Sequence, residues 1–197
     1  MVNVDLRTRA RLVALALPLL LLAGCSSSAA VAGDYPDMSL ADTKSPAQLL
    51  RNEAAGRLPA EAIGEITESS DVSVSCLSAE ADPTGTVRSW HSTVSIVVTD
   101  ETIAAAEVAN QLVATFTDQG WSARDLGGNV SMVKKLLENP DSLAEIQVSG
   151  LEPDEGRGST STEEFVEVPT VVISVHGPCV RTDGADSDEV KALEARS

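Results

Sequence analysis

The chain has 197 residues, of which 14 are basic and 30 are acidic, and its formal net charge is −16 at pH 7. A surface this acidic repels the phosphate backbone, so we expect no nucleic-acid partner. The aromatic content of 3% also disfavours a broad carbohydrate-binding platform, because sugar rings stack on aromatic side chains.

The N-terminus has the arrangement of a bacterial lipoprotein signal peptide, predicted over residues 1–24. Three arginines precede an uncharged apolar run at 12–22, and the sequence Leu-Ala-Gly-Cys occupies 22–25. The apolar run is shorter than the roughly 20 residues that a transmembrane helix needs. A secretory signal without lipidation is the alternative, but it leaves the position of Cys25 unexplained. We therefore predict a diacylglycerol thioether and palmitate at Cys25, which anchor the protein on the extracytoplasmic face of the cell membrane.

The mature chain is more acidic than the whole. Removal of the signal peptide takes away three arginines and Asp5, so 11 basic and 29 acidic residues remain, with a net charge of −18. This balance disfavours a polybasic membrane-surface helix and leaves the lipid as the predicted membrane contact. The mature chain divides into three predicted parts: a flexible tether at 25–44, a single domain at 45–181, and an acidic tail at 182–197 with a frayed helix from Asp188.

Two further cysteines, Cys76 and Cys179, would lie in a compartment where thiols oxidise. Neither belongs to a Cys-x-x-Cys pair, and each follows an apolar, strand-like run. We predict that they form one disulfide, which closes a loop of about 100 residues. A redox or catalytic thiol is the alternative.

The domain opens with helical signals. Ser45, Pro46 and Gln48 are residue types preferred at the start of a helix. This helix is predicted to end at Gly56, and its apolar side carries Leu49, Leu50 and Ala54. A second short helix is predicted at 59–68.

The pattern then changes to strands. Alternating residues predict an antiparallel hairpin of strands at 72–76 and 88–98. One face of the longer strand carries Arg88, Trp90, Ser92, Val94, Ile96 and Val98.

A helix is predicted next, at 101–119, capped by Asp100 and with apolar residues at helical spacing. The remaining predicted elements are a strand at 121–126, a reversal at 127–129, a strand at 130–134, a turn at 139–141, a strand through Ile146 and Val148 that ends at Gly150, an exposed acidic loop at 151–164, and a strand at 168–175.

This order of elements predicts the fold class. Strands joined by tight turns are antiparallel neighbours, so we expect an α+β fold: an antiparallel sheet with one or two helices packed on one face and a single disulfide. A disulfide between the first strand and the end of the last strand implies that these two strands lie near each other.

Four segments of the chain form a distinctive combination. They are the lipobox, the strand bearing Trp90, the sequence Phe116-Thr-Asp-Gln-Gly120-Trp121 and the sequence Val175-His-Gly-Pro-Cys179. The combination resembles small actinobacterial cell-envelope lipoproteins of uncharacterised function, some of them labelled LppA-like. The resemblance covers about residues 12–26 and 70–180. It implies a compact α+β domain with a disulfide near the two positions found here, and it transfers no catalytic residues.

No spacing in the chain predicts a reaction centre. His91 and His176 lack a second ligand at helical or Cys-x-x-Cys spacing, and the tail acids Asp183, Asp186, Asp188 and Glu189 lack the spacing of a calcium loop. The chain has no Gly-x-Ser-x-Gly elbow, and Gly156-Arg157-Gly158 is too short for a phosphate loop. His176 would act as a base only beside a free thiol at Cys179. We therefore expect no metal, no cofactor and no enzymatic activity.

The remaining functional alternatives depend on where three aromatic residues lie. Trp90, Phe116 and Trp121 are predicted to pack in the core, or else to edge an apolar pocket between sheet and helix. The sequence thus predicts a lipid-anchored envelope lipoprotein with a non-catalytic binding or structural role, exerted through contacts with an envelope protein. The alternative is a carrier of a lipid or small apolar molecule in that pocket.

Overall fold

A computed structural model describes residues 33–129, 132–153 and 168–196. The helices are α1 (Leu40–Gly56), α2 (Ala105–Thr117) and α3 (Asp188–Glu194). The strands are β1 (Ile63–Ser75), β2 (Val87–Val98), β3 (Ser122–Asn129), β4 (Met132–Glu138), β5 (Glu145–Leu151), β6 (Thr170–His176) and β7 (Val180–Arg181). They form one antiparallel sheet in the order β1-β2-β6-β5-β4-β3, and β7 pairs with β2.

The predicted α+β class is confirmed, with three helices on one face of the sheet. α1 packs on β2 and β6, α2 packs on β4, β5 and β6, and α3 lies beside α1 against β1. The disulfide between Cys76 and Cys179 is also confirmed. Among the described residues, no helix is long and apolar enough to cross a membrane.

The core lies between the sheet and the helices. Along β2 the residues at even positions from Trp90 to Val98 are buried, while the odd positions from His91 to Val97 are half-buried. Successive side chains of a strand point to opposite faces, so this alternation places the even positions under the helices. The predicted face of β2 and its hairpin with β1 are therefore confirmed.

A glycine sets the distance between α2 and the sheet. A Cβ atom on Gly150 would lie 2.5 Å from the carbonyl oxygen of Ala105 and 2.7 Å from the Cα of Ala106. The first turn of α2 therefore rests directly on the backbone of β5, because Gly150 has no side chain to hold it away.

α1 begins at Leu40, inside the predicted tether, and the predicted start at Ser45 was wrong. The hydroxyl of Ser39 accepts a hydrogen bond from the N–H of Asp42 (3.3 Å), and the Asp42 carboxylate accepts one from the N–H of Ser39 (3.0 Å). This capping box fixes the start of the helix ahead of the proline. Pro46 lies inside α1, although proline is preferred at the first helical position.

The predicted helix at 59–68 was wrong, because β1 occupies most of this segment. The spacing of Ala62, Ile63 and Ile66 fits a helix, but β2 is long enough to pair with β1 as far as Ile63, which lies opposite Val98. Ile66 is exposed, so its spacing does not mark a buried helix face. Pairing along β2 overrides the local helical spacing.

The β3–β4 hairpin is confirmed, but residues 127–129 belong to β3 and are not the predicted reversal. Gly127 pairs with Lys134, and the register shifts between Asp125 and Gly127. The Asp125 carboxylate accepts a hydrogen bond from the N–H of Gly127 (2.8 Å), where φ is +91°. This glycine therefore forms a bulge in β3.

α2 begins later than predicted, and Asp100 is not its cap. The Asp100 carboxylate accepts hydrogen bonds from the N–H (2.9 Å) and the hydroxyl (2.6 Å) of Thr102, which makes a turn ahead of the helix. Ala104 occupies the N-cap position and offers no side-chain acceptor. Glu152, just after β5, accepts a hydrogen bond from the N–H of Ala106 (3.3 Å) instead.

The segment predicted as a separate acidic tail at 182–197 packs on the domain through α3. Val190 and Leu193 are buried against the core. The Lys44 ammonium donates a hydrogen bond to the carbonyl of Leu193 (2.8 Å), and the Glu194 carboxylate accepts one from a backbone N–H of β1 (3.1 Å). The predicted helix start at Asp188 is confirmed.

Candidate functional site

The predicted lipidation site, Cys25, lies outside the described residues, and so does the predicted cleavage point. Most of the predicted acidic loop, including Gly156-Arg157-Gly158, lies outside them too. These parts of the chain remain sequence predictions.

The disulfide joins the two neighbours of β2 at one end of the sheet. Cys76 follows β1 and Cys179 lies between β6 and β7, with their Cα atoms 6.1 Å apart. The N–H of Cys76 also donates a hydrogen bond to the carbonyl of Val87 on β2 (2.9 Å). Both sulfur atoms are used in the bridge, so neither serves as a thiol nucleophile beside His176.

The three aromatic residues proposed as pocket edges do not form one site. Trp90 is fully buried; its indole N–H donates to the Asp71 carboxylate (3.4 Å), and the Lys44 ammonium lies 4.5 Å from its ring centre. Phe116 is buried at the end of α2 and packs edge-to-face against half-buried Trp121, with ring centres 5.3 Å apart. These contacts place Trp90 and Phe116 in the core, as predicted.

The fold brings the two histidines together on the other face of the sheet. His91 on β2 is the direct cross-strand partner of His176 on β6. Their Nε2 atoms are 2.9 Å apart, and their ring centres are 3.8 Å apart with the planes tilted by 43°. Since the residues are 85 positions apart in sequence, local spacing gave no sign of this pair.

Both imidazoles favour the neutral form. Burial lowers the pKa of His91 below its usual value. Burial, and next the charge of His91, lowers the pKa of His176 to about 4. At neutral pH the short Nε2–Nε2 contact therefore joins two neutral rings, one as donor and one as acceptor.

An apolar groove of about 350 Å³ runs between α1 and the loop that joins β4 to β5. Leu49 on α1 is 69% exposed, and Leu143 on the loop is 65% exposed. The other apolar residues that line the groove are Met38, Pro46, Leu50, Ala144 and Pro178. The prediction that Leu49 shares the inward side of the helix with Ala54 was wrong, because the buried positions of α1 are Leu40, Thr43, Ala47 and Ala54.

Three acidic residues also line this groove. Asp42 and Glu53 from α1 and Asp141 from the loop line it together with the apolar side chains. Glu53 also forms an ion pair with Arg57 one helical turn later. The charged residues among those that line the groove are therefore all acidic.

A second groove is lined by the acidic residues near α3, with the guanidinium of Arg88 among them. That guanidinium is buried and donates to the hydroxyl and the carbonyl of Ser73 (2.8 Å each). Within the described ranges, no three His, Cys, Asp or Glu side chains gather as a metal-binding group.

The features that sequence reasoning missed are the apolar groove and the histidine pair. The outward position of Leu49 depends on which face of α1 packs on the sheet, and Leu143 is a single apolar residue in a loop. Both features follow from how distant parts of the described chain pack together. No protein-family model, no curated protein sequence and no solved structure matches this chain.

Proposed function

We propose that this protein is a lipid-anchored, non-catalytic binding protein of the cell envelope, and that the groove between α1 and the β4–β5 loop docks a protein partner. The observation that carries the proposal is the exposure of Leu49 and Leu143 on the two sides of one apolar groove. Large apolar side chains exposed together around a concavity are typical of interaction sites.

The charge around the groove favours one kind of partner. Asp42, Glu53 and Asp141 line the groove beside its apolar residues, and the whole chain has a net charge of −16. These carboxylates attract lysine and arginine and repel anionic lipid headgroups. The partner would therefore insert an apolar side chain into the groove and place basic residues around it.

The membrane anchor rests on the sequence of the lipobox. Acyl chains on Cys25 would hold the domain at the membrane, because each buried methylene contributes about 0.8 kcal/mol. The change Cys25→Ser should move the protein from the membrane fraction to the soluble fraction. If the protein with serine at position 25 stays with the membranes, the lipid is not its anchor.

Site-specific cross-linking tests the docking. A photoreactive amino acid is placed at position 49 or 143 of the full-length protein in its own cells, and at position 126 as a control. Leu126 is also partly exposed but lies on β3. We expect the same partner protein to be captured from positions 49 and 143 and not from position 126. Equal capture from position 126, a second copy of this chain, or a lipid adduct would overturn the proposal.

Binding measurements with the captured partner, once purified, complete the test. Leu49→Ser and Leu143→Ser should each raise the Kd about tenfold or more, because central apolar anchors dominate interface energies. Leu126→Ser should leave the Kd unchanged. Glu53→Gln should slow association at low salt, because rim charges act on encounter rates.

A further inference from the structure

We propose that His91 and His176 form a binding site for a divalent transition-metal ion such as Zn²⁺. The site lies on the face of the sheet opposite the helices, because His91 follows buried Trp90 along β2. The proposal is independent of the docking groove, which is built on α1.

The strand register brings the two side chains as close as cross-strand neighbours come. The N–H of Gly177 donates to the carbonyl of Trp90 (2.9 Å), and the N–H of Val98 donates to the carbonyl of Pro169 (2.8 Å). Hydrogen-bonded and non-hydrogen-bonded pairs alternate along antiparallel strands, so the histidine pair falls at a non-hydrogen-bonded position. The Cα atoms of such pairs are about 4.5 Å apart, and their side chains approach most closely.

The distance between the two Nε2 atoms suits two ligands of one ion. The ring centres (3.8 Å) are only slightly farther apart than the Nε2 atoms (2.9 Å), so the rings lie side by side and not end to end. Zinc–imidazole bonds are about 2.0–2.1 Å long, so two such nitrogens are about 2.9 Å apart at a right angle and about 3.4 Å apart at the tetrahedral angle. The observed Nε2–Nε2 separation of 2.9 Å matches the lower end of this range. To point both nitrogens at one ion, the ring centres would move apart from 3.8 Å to about 4.5 Å.

The type of ligand sets the kind of ion that the pair can bind. Metal binding uses the lone pairs of both Nε2 atoms, so the ring that donates its Nε2–H in the free protein carries its proton on Nδ1 when the ion is bound. Imidazole ligands select zinc, copper and nickel over magnesium and calcium, which take oxygen ligands.

Two imidazoles leave further coordination positions for water or a carboxylate. Glu145 on β5 is the cross-strand partner of His176 and has its side chain on the same face. In the described part of the chain no third metal-binding side chain joins the pair. The site therefore has two ligands from the protein, with open coordination positions for water or for a ligand from another molecule.

Calorimetry with Zn²⁺ tests this site. The protein carries Cys25→Ser, is purified without a polyhistidine tag and is stripped with a chelator. We expect one ion per chain, with the Kd raised about tenfold or more by His91→Gln or by His176→Gln. Asp186→Asn is the matched control for weak binding to the acidic surface, because the Asp186 side chain is almost fully exposed. Unchanged affinity after His91→Gln, or an equal loss after Asp186→Asn, would overturn the proposal.

A measurement on the wild-type side chains covers the case in which a histidine variant fails to fold. In ¹⁵N spectra of the imidazoles, one equivalent of Zn²⁺ should shift the Nε2 signals of both His91 and His176. If neither signal moves, the two histidines do not bind the metal.

Discussion

At the scale of single residues, Asp71 is the carboxylate that joins α1 to the first two strands. It accepts a hydrogen bond from the Arg51 guanidinium (2.9 Å) and a longer one from the Trp90 indole (3.4 Å). The side chains of Asp71 and Arg51 are only 11% and 12% exposed. Burial raises the pKa of Asp71, but its hydrogen bonds and the charge of Arg51 outweigh burial and hold the pKa below its ordinary value.

The change Asp71→Asn should therefore lower the free energy of unfolding by about 1–3 kcal/mol at pH 7. Because the folded-state pKa is depressed, the ionised carboxylate stabilises the fold at pH values above about 4. This contribution disappears as the pH falls through the folded-state pKa, so the two proteins should become nearly equal in stability. Urea unfolding at pH 7 and at a series of pH values below 4 measures the difference, which should shrink steadily as the pH falls. A penalty that stays constant over the whole series would show that the charge of Asp71 is not its source.

At the scale of elements, substitutions in α3 measure how much the C-terminal segment contributes to the stability of the fold. Leu193→Ala removes buried apolar atoms and should cost about 2–3 kcal/mol in urea unfolding. Ala192→Ser alters the neighbouring, exposed residue of the same helix and should change stability by less than about 0.5 kcal/mol. If both substitutions are neutral, α3 does not dock on the domain in solution.

The success of sequence reasoning varied with the strength of the local pattern. The strand β2 was predicted almost to its ends, because its alternation is long and one face is covered by helices. The start of α1 was missed because Pro46 gave a stronger local signal than the capping box at Ser39. The helix predicted over β1 failed because strand pairing, which is not local, decided its structure.

The candidate sites were harder to predict than the elements for the same reason. The disulfide could be inferred by counting, because only Cys76 and Cys179 remained after the lipobox was assigned. The histidine pair requires the register between β2 and β6, and the groove requires the packing of α1 against the β4–β5 loop. Neither arrangement follows from spacing along one strand or one helix.

At the scale of the whole molecule, the disulfide constrains most of the sheet. The bridge between Cys76 and Cys179 spans 103 residues, which include β2 to β6 and the whole of α2. On the chain-entropy model, a loop of about 100 residues lowers the entropy of the unfolded state enough to contribute about 4.7 kcal/mol. Most of that contribution acts on the unfolded chain and does not depend on local contacts.

Replacement of both cysteines by alanine should therefore lower the free energy of unfolding by about 3–5 kcal/mol, measured in urea against the oxidised protein. The comparison uses the Cys25→Ser background, so that the lipid-bearing cysteine does not contribute. In that background the folded protein should show no titratable thiol before reduction and two after reduction in denaturant. Two thiols before reduction would refute the bridge itself. A bridge with a stability difference below about 1 kcal/mol would mean that the unfolded chain is already compact, because the cross-link would then remove little of its entropy.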